Sequence, residues 1–468
     1  MKSSIRVILS GLLATSLLAA CHDKDTEAPP EPFASTYRAP AHAPVLIQHA
    51  TVLTGTGTQL DDADVLIQDG KIAAVRPALG TVPNAIVIDA KGRYVTPGLI
   101  DAHSHLGVYS SPGVWASSDG NEATAPTTPE VWSEHSVWPQ DPGFEAARAG
   151  GVTSMLILPG SANLIGGRAT VLKNVPALTY QEMKFPGAPQ SLKMACGENP
   201  KRVYGLEGKR APSTRMGNVA GYRAAFAKAK AYQKKMEAGT VEERDLAMET
   251  LVGVLKGEIL VQNHCYRADE MATMLDVAKE FGYQISAFHH GVEAYKIADR
   301  LAQDGVCGAL WADWWGFKLE ALDGIRENIA LVDAARGKDA EGKEIKGCAI
   351  VHSDDPNGIQ RLNQEAAKAM TAGRRMGLKI TDGEAVRWIT ANPAKAIGIL
   401  DQTGTLEAGK NGDVVIWNGT PFSSYALTDQ VYIDGVLRYD RAVKTPPESD
   451  FLLGLEPPEA SATTEAAP

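Results

Sequence analysis

The chain has 468 residues, a length that accommodates two to four domains or one large barrel with accessory elements. Hydrophobic residues make up 44% of it and charged residues 22%, which is typical of a folded globular protein and excludes a disordered chain. The formal net charge of −10 argues against a nucleic-acid-binding protein, which needs a basic surface. A sustained apolar run occurs only near the N-terminus, so a protein with many membrane spans is also excluded.

The N-terminus has the features of an export signal. Lys2 and Arg6 precede an apolar run that ends in small residues before Cys21, so residues 1–20 are predicted to be a signal peptide. The stretch Leu18-Ala19-Ala20-Cys21 resembles the lipobox of bacterial lipoproteins, in which the cysteine is lipidated and becomes the first mature residue. A plain secretory signal with an incidental cysteine is the alternative.

The segments beside the folded body carry further expectations. His22 stands where an Asp would signal inner-membrane retention, so the resemblance implies an exported lipoprotein at the outer membrane, facing the periplasm. Residues 21–43 are expected to hold the lipidated Cys21 and a flexible tether, and residues 443–468 a disordered tail. Four other cysteines are widely spaced, and their pairing cannot be read from the sequence.

Both ends of the folded part of the chain have the sequence pattern of a small β domain. Residues 44–95 and 403–442 contain short alternating apolar runs separated by turn residues such as Asp69-Gly70. The simplest arrangement is one β-sandwich built from both chain ends around a long central insertion.

The central residues 96–402 alternate strand-like runs with amphipathic helices. Eight such strands over roughly 250 residues are typical of a (β/α)8 TIM-like barrel, and a doubly wound open sheet is the alternative. The predicted strands are Gly98–Ala102, Val152–Leu158, Ala169–Val175, Ser191–Cys196, Glu258–Asn263, Tyr283–Phe288, Val306–Leu310 and Cys348–His352.

Histidines and one aspartate follow the ends of these strands. His103 and His105 end the first strand on one face, His264 ends the fifth, His290 the sixth, and Asp354 follows the eighth. A lone His-x-His pair would equally suit histidines packed in a core. Because the carboxyl ends of barrel strands meet at one mouth, the larger set predicts a divalent metal site there.

The strand ends belong to an ordered set of motifs, which are Val95–His105, Gly150–Ser154, His289–Gly291, His352–Asp354, Thr390–Ala394 and Gly404–Val415. These motifs resemble those of the amidohydrolase superfamily, especially its imidazolonepropionase-like and prolidase-like members, and the resemblance covers about residues 45–440. It implies a metal-dependent hydrolase that acts on C–N bonds.

The resemblance also implies a ligand set. His103 and His105 match the ligands of the more buried metal, whereas His264 and His290 match those of a second metal. Asp354 matches the eighth-strand aspartate. His289, which should face the opposite way from its neighbour, is expected to pack outside the site. His352 is expected to hydrogen-bond the substrate or the aspartate.

The ligand that bridges the two metals has two candidates. Lys193 lies where prolidase-like relatives have a carbamylated lysine, whereas Glu198 offers an unmodified carboxylate in the loop after the fourth strand. Either would supply the anion that two neighbouring cations need. We favour Glu198, since its loop is unusual; if neither bridges, one metal is absent. Two zinc ions are expected, and the donors also suit Mn, Fe, Co or Ni.

The predicted reaction is hydrolysis of an amide, dipeptide or cyclic amide by metal-activated hydroxide. Asp354 is expected to act as general base and then acid. Trp115 and Asn163, in loops at the barrel mouth, are further candidates for substrate binding. The alternatives are a deaminase that releases ammonia and a non-catalytic lipoprotein that binds metal or ligand.

The expected partner is a small-molecule amide or short peptide. Nucleic acid is not expected to bind, and any membrane contact would pass through the lipid anchor at Cys21. The sequence does not decide whether the protein forms a homo-oligomer.

Overall fold

The computed structural model describes residues 32–338 and 341–443. The first five strands lie in the turn-rich N-terminal part of the chain, and buried residues along them are interrupted by more exposed ones. They are β1 (Val45–Leu53), β2 (Gln59–Gln68), β3 (Lys71–Arg76), β4 (Ile86–Asp89) and β5 (Tyr94–Pro97).

Eight later strands form the barrel, and a two-stranded hairpin precedes the last of them. The strands are β6 (Leu99–Ser104), β7 (Val152–Ile157), β8 (Ile165–Lys173), β9 (Ser191–Ala195), β10 (Leu260–Cys265), β11 (Ile285–His290), β12 (Cys307–Leu310), the hairpin β13 (Arg336–Lys338) and β14 (Glu344–Lys346), and β15 (Ala349–Val351).

The helices bury small and apolar residues at helical spacing, as Leu362, Ala366, Ala369 and Met370 illustrate. They are α1 (Pro142–Ala149), α2 (Tyr180–Met183), α3 (Glu198–Pro200), α4 (Arg215–Glu237), α5 (Leu246–Leu255), α6 (Ala268–Phe281), α7 (Ala298–Gln303), α8 (Asn328–Ala334), α9 (Leu362–Arg375), α10 (Asp382–Ala385) and α11 (Ala391–Ala396).

Three C-terminal strands complete the β domain, and they are β16 (Val414–Trp417), β17 (Thr428–Ile433) and β18 (Val436–Asp440). The order in its sheet is β18-β17-β16-β5-β1-β2-β3, with β4 paired to β1. Strand β16 pairs antiparallel with β5, which joins the two ends of the chain as predicted. All eight strands belong to one hydrogen-bonded sheet, and inward side chains such as Ile47, Val65 and Ile416 share a common core.

The barrel has the eight strands that the sequence predicts, in the order β15-β12-β11-β10-β9-β8-β7-β6. One expectation needs correction, since β8 runs antiparallel to both β7 and β9. The physical reason is the short connection of residues 158–164 between β7 and β8, because a parallel crossover needs a dozen or more residues.

Hydrogen bonds after β15 link the last strand to the first. The backbone N–H of Asp354 donates to the carbonyl of His103 at 3.1 Å, and the N–H of Ser353 donates to Asp101 Oδ1 at 3.3 Å. The Ser353 hydroxyl also donates to the Asp101 carboxyl group. These contacts place Asp354 directly beside the end of β6.

Two disulfides join neighbouring barrel strands. Cys196, directly after β9, pairs with Cys265 at the end of β10, and Cys307 at the start of β12 pairs with Cys348, directly before β15.

The N-terminal part of the described chain lies against the body. Ser35 Oγ donates to the Lys184 carbonyl at 2.6 Å, and the Tyr37 hydroxyl donates to Asp434 Oδ2 at 2.7 Å. The packed body therefore begins near Ser35 and not at residue 44. The signal peptide, Cys21 and the tail beyond residue 443 lie outside the described residues and stay predictions. Within residues 32–338 and 341–443, no helix is both long and apolar enough to cross a membrane.

Candidate metal centre

The strand ends bring a dense group of nitrogen and oxygen donors to one mouth of the barrel. The group consists of His103 in β6, His105 directly after it, Lys193 in β9, His264 in β10, His289 and His290 in β11, and His352 and Asp354 after β15.

Three donors of this group surround one point. His103 Nε2 lies 3.3 Å from His105 Nε2, and Asp354 Oδ1 lies 3.3 Å from the former and 3.2 Å from the latter. His105 Nδ1 lies 2.8 Å from the carbonyl oxygen of Leu158, which can only accept, so the ring proton of neutral His105 is on Nδ1. Its Nε2 lone pair therefore faces the other two donors.

These spacings match the chemistry of a bound cation. Donors held 2.0–2.1 Å from a tetrahedral zinc ion lie about 3.3 Å from one another. An imidazole lone pair and a carboxylate repel each other at such distances unless a positive charge lies between them. His103, His105 and Asp354 therefore fit a divalent metal ion.

A second set of imidazoles lies beside the first. The rings of His264 and His290 have centroids 4.6 Å apart, and His352 lies 4.9 Å from His290 and stacks 5.1 Å from His103. Among the described residues, Nδ1 of His264 and Nδ1 of His290 have no hydrogen-bond partner. A buried imidazole nitrogen of this kind can bind a second ion once the ring proton lies on the other nitrogen, which for His264 requires Asn199 Nδ2 to release His264 Nε2.

The pKa values favour the metal-binding protonation states. Burial, which penalises charge, lowers the pKa of His103, His264, His289 and His290 well below the usual range and that of His352 to about 3. Burial raises the pKa of Asp354, but His290 and His105 outweigh it, so the pKa lies below its ordinary value. The imidazoles are thus neutral and the carboxylate ionised near neutral pH.

The two candidate bridging residues occupy different places. Lys193 is 1% exposed, its Nζ lies 3.4 Å from His103 Nε2, and burial lowers the pKa of its amine to about 8. Glu198 begins α3, and its Oε1 lies 3.5 Å from the Nζ of Lys318. The structure therefore brings Lys193, and not Glu198, into contact with the histidines, contrary to the preference drawn from the loop sequence.

The expectation that His289 packs outside the site is wrong. His289 is fully buried and its ring lies 4.7 Å from that of His103. The next residue, His290, has φ +73°, a left-handed conformation that breaks strand alternation and turns its side chain toward His103 as well.

A lysine and several aromatic rings line the approach to this centre. Lys318 Nζ lies 2.8 Å from Asn199 Oδ1 and 4.4 Å from the centroid of the Tyr266 ring. Asn199 Nδ2 in turn lies 3.3 Å from His264 Nε2. Trp311 lies 4.3 Å from the ring of His290, and the half-exposed Trp314 stacks on Trp311. Lys318 and these rings therefore offer one cation and flat apolar surfaces next to the histidines.

Two predicted substrate-binding residues lie elsewhere. The amide of Asn163 is buried, and its Nδ2 donates to the carbonyls of Glu122 and Ala125 at 2.8 Å, so it fixes the loop after β6. Trp115 is 93% exposed in the same loop, and the structure does not place it among the buried donors.

Three residues of the site were not predicted from the sequence, namely Gln262, Asn199 and Lys318. Gln262 lies two residues before His264 on the same strand, so strand alternation could have found it. Asn199 lies in the short helix α3 and Lys318 lies in a loop, and the contacts of both depend on tertiary structure. No sequence spacing indicates them.

Comparison with known proteins gives the family. The model of the family described as "Amidohydrolase family" matches residues 94–441. The chain belongs to this amidohydrolase family. A crystal structure of an amidohydrolase from Thermotoga maritima MSB8 is similar, with a TM-score of 0.76 and 38% identity, over 85% of this chain and 100% of that chain.

Curated relatives agree with this membership. Amidohydrolase tasK of Hapsidospora irregularis is 34% identical in an alignment that covers 86% of this chain but 44% of the relative. The chain thus spans less than half the length of that protein. An imidazolonepropionase of Brucella anthropi is 26% identical in an alignment that covers 77% of this chain and 87% of the relative. The resemblance to the superfamily is confirmed.

The stability of the metal-free protein should fall in acid. The folded pKa values of the buried histidines lie below the unfolded value of about 6.5, so their contribution is present above that pH and is lost as pH falls below it. At about pH 5.5 each such histidine should cost about 1.4 kcal/mol of unfolding free energy. Urea denaturation of chelator-treated protein at several pH values measures this.

The variant His264→Gln provides the comparison for this pH dependence. It removes one buried histidine, so its stability should fall less steeply between about pH 7.5 and 5.5 than that of the wild type. An identical or steeper slope in the variant would contradict neutral burial of His264.

Proposed function

We propose that the protein is a metal-dependent hydrolase that cleaves a C–N bond of a small amide, dipeptide or cyclic amide. The observation that carries this proposal is the convergence of His103 Nε2, His105 Nε2 and Asp354 Oδ1 within 3.3 Å of one another, next to a second group of histidines. Membership of the amidohydrolase family supports it.

His103, His105 and Asp354 would hold one divalent ion, and His264 and His290 a second. Such ions lower the pKa of water and polarise the substrate carbonyl. Imidazole and carboxylate ligands favour zinc, and Mn, Fe, Co and Ni remain chemically suitable. His352 lies against both His103 and His290, where it can hydrogen-bond the substrate or act as a further ligand.

Asp354 is proposed to move the proton. Its lowered pKa keeps it ionised in the resting state, ready to accept a proton from the attacking water. Its side chain is 26% exposed, so it reaches the mouth where substrate enters. From there it can pass the proton to the departing nitrogen, which needs one in order to leave.

Lys193 is proposed to bridge the ions as a carbamate. Its buried amine lies against His103, and a pKa of about 8 leaves an appreciable neutral fraction that can add carbon dioxide and lose a proton. The resulting carboxylate would offset the repulsion between two cations. The carboxylate of Glu198 instead lies 3.5 Å from Lys318 Nζ.

Lys318 is proposed to bind a substrate carboxylate. Asn199 contacts both Lys318 and His264, which limits the separation of Lys318 Nζ and His264 Nε2 to about 9 Å. A substrate whose carboxylate lies close to its scissile amide could reach from Lys318 Nζ to the histidines. Trp311 and Trp314 would contact an apolar group of the same substrate.

The first test is the variant Asp354→Asn on a panel of small amides and dipeptides. Assayed under saturating zinc, so that the loss of one charged ligand does not empty the site, the variant should lose about 10²–10⁴-fold in turnover, because it cannot accept the proton. Metal content and product release are measured together, with free ammonia assayed to detect a deaminase. Turnover at the wild-type rate would contradict the role of Asp354, and an inactive metal-loaded wild type would contradict the hydrolase.

The second test compares Lys193→Ala with Glu198→Ala. Loss of the bridging group should reduce the metal content of Lys193→Ala from about two ions to about one per chain, whereas Glu198→Ala should keep both. Elemental analysis after dialysis against zinc and bicarbonate gives the ratio. The opposite result, with metal lost only from Glu198→Ala, would overturn the assignment.

The third test concerns Lys318. In Lys318→Met, acetate release from N-acetylphenylalanine should fall by about 10–100-fold in kcat/KM, as expected for a lost hydrogen bond to a charged group. Release from the matched carboxamide should change little, and Lys318→Arg should retain the preference for the acid. Equal loss for both compounds would show that Lys318 acts on the fold and not on the carboxylate.

A further inference from the structure

A buried chain of hydrogen bonds lies behind the metal centre. Gln262 Oε1 lies 2.8 Å from His289 Nε2, and His289 Nδ1 lies 2.8 Å from His103 Nδ1. Gln262 and His289 are fully buried, and His103 is 1% exposed, so no solvent competes for these contacts. The chain ends at His103 Nε2, the atom that faces His105 and Asp354.

The far end of the chain fixes the orientation of the Gln262 amide. Gln262 Nε2 lies 2.9 Å from the carbonyl oxygen of Ala396 and 3.4 Å from Ser191 Oγ. A carbonyl oxygen only accepts hydrogen bonds, so the amide nitrogen must face Ala396. Gln262 Oε1, which only accepts, therefore faces His289.

The direction of each following hydrogen bond depends on this orientation. His289 must place its proton on Nε2 in order to donate to Gln262. A neutral imidazole has one N–H group, so His289 Nδ1 has a lone pair and accepts from His103 Nδ1–H. His103 Nε2 is then unprotonated, and its lone pair faces the position between His105 and Asp354.

We propose that Gln262 and His289 are positioning residues that set the tautomer of His103 and thereby its affinity for metal. Neither residue belongs to the three donors around the first ion, and both act through His103. The inference rests on the metal centre of the proposed function, but it concerns binding of the ion and not turnover.

The opposite direction of donation would disable the site. If His289 donated from Nδ1, His103 would place its proton on Nε2, pointing at His105 Nε2 and toward Lys193 Nζ, which is itself a donor 3.4 Å away. A protonated ring nitrogen cannot bind a cation. The buried amide of Gln262 excludes this state, because its acceptor requires the proton on His289 Nε2.

The test measures metal affinity in variants of His289. His289→Leu removes the acceptor for His103 Nδ1–H and should weaken cobalt or zinc binding by about 10–100-fold, the usual effect of losing a partner of a ligating histidine. His289→Asn places an amide oxygen near the position of Nδ1 and should restore most of the affinity. Competition with a chromophoric chelator gives the affinity, and the visible spectrum of bound cobalt reports the ligand geometry.

Two further variants separate tautomer control from packing. Gln262→Met keeps a similar volume without the amide, and it should weaken metal binding less than His289→Leu does. Ser191→Ala, the matched control, removes only the 3.4 Å contact of Gln262 and should bind metal as the wild type does. Circular dichroism shows whether each variant is folded.

The outcomes decide the proposal independently of catalysis. Wild-type affinity in His289→Leu, or equal loss in His289→Leu and His289→Asn, would overturn it, since the second result indicates packing alone. A wild type that binds metal but cleaves no amide would refute the proposed function while leaving this test valid. A wild type that binds no metal would overturn both.

Discussion

The structure depends on one electrostatic requirement, which is that lone pairs crowded together in a barrel mouth need a positive charge between them. His103 Nε2, His105 Nε2 and Asp354 Oδ1 lie 3.2–3.3 Å apart, and the Leu158 carbonyl holds the proton of His105 on the opposite nitrogen. The hydrogen bonds of Gln262 and His289 place the proton of His103 on its Nδ1, so no ring proton lies between His103 Nε2 and His105 Nε2. Burial, which lowers the pKa of His103 well below the usual range, keeps that ring neutral. A divalent cation satisfies this arrangement, and a close-packed apolar core does not explain it.

The scaffold holds these donors in place by joining strands that are distant in sequence. Hydrogen bonds from Ser353 and Asp354 tie the end of β15 to β6, so that Asp354 meets His103 although 250 residues separate them. The Cys196–Cys265 disulfide joins the ends of β9 and β10 directly beside His264. Behind the donors, Gln262 and His289 provide hydrogen bonds that are fully buried. The donors of the site thus lie in barrel strands or directly after them, whereas Lys318 lies in a loop.

Much of this organisation follows from local pattern in the sequence. Apolar runs of strand length predicted the eight barrel strands. The donors predicted to meet at one mouth, because they stand at the ends of those strands, were His103, His105, His264, His290 and Asp354. The reversed direction of β8 was missed, although the short connection after β7 could have indicated it. His289 and His290 both face His103 because the backbone of His290 is left-handed, which no apolar or polar pattern predicts. The choice between Lys193 and Glu198 required knowledge of which side chain reaches the barrel interior, and that is set by tertiary packing.

The most direct measurement is a crystal structure of zinc-loaded protein with anomalous scattering recorded on both sides of the zinc absorption edge. We expect an anomalous peak bonded to His103 Nε2, His105 Nε2 and Asp354 Oδ1 and a second peak at His264 and His290, with extra density on Lys193 between them. Zinc bound only at other residues, or no peak at the barrel mouth under saturating zinc, would show that these donors do not form a metal centre.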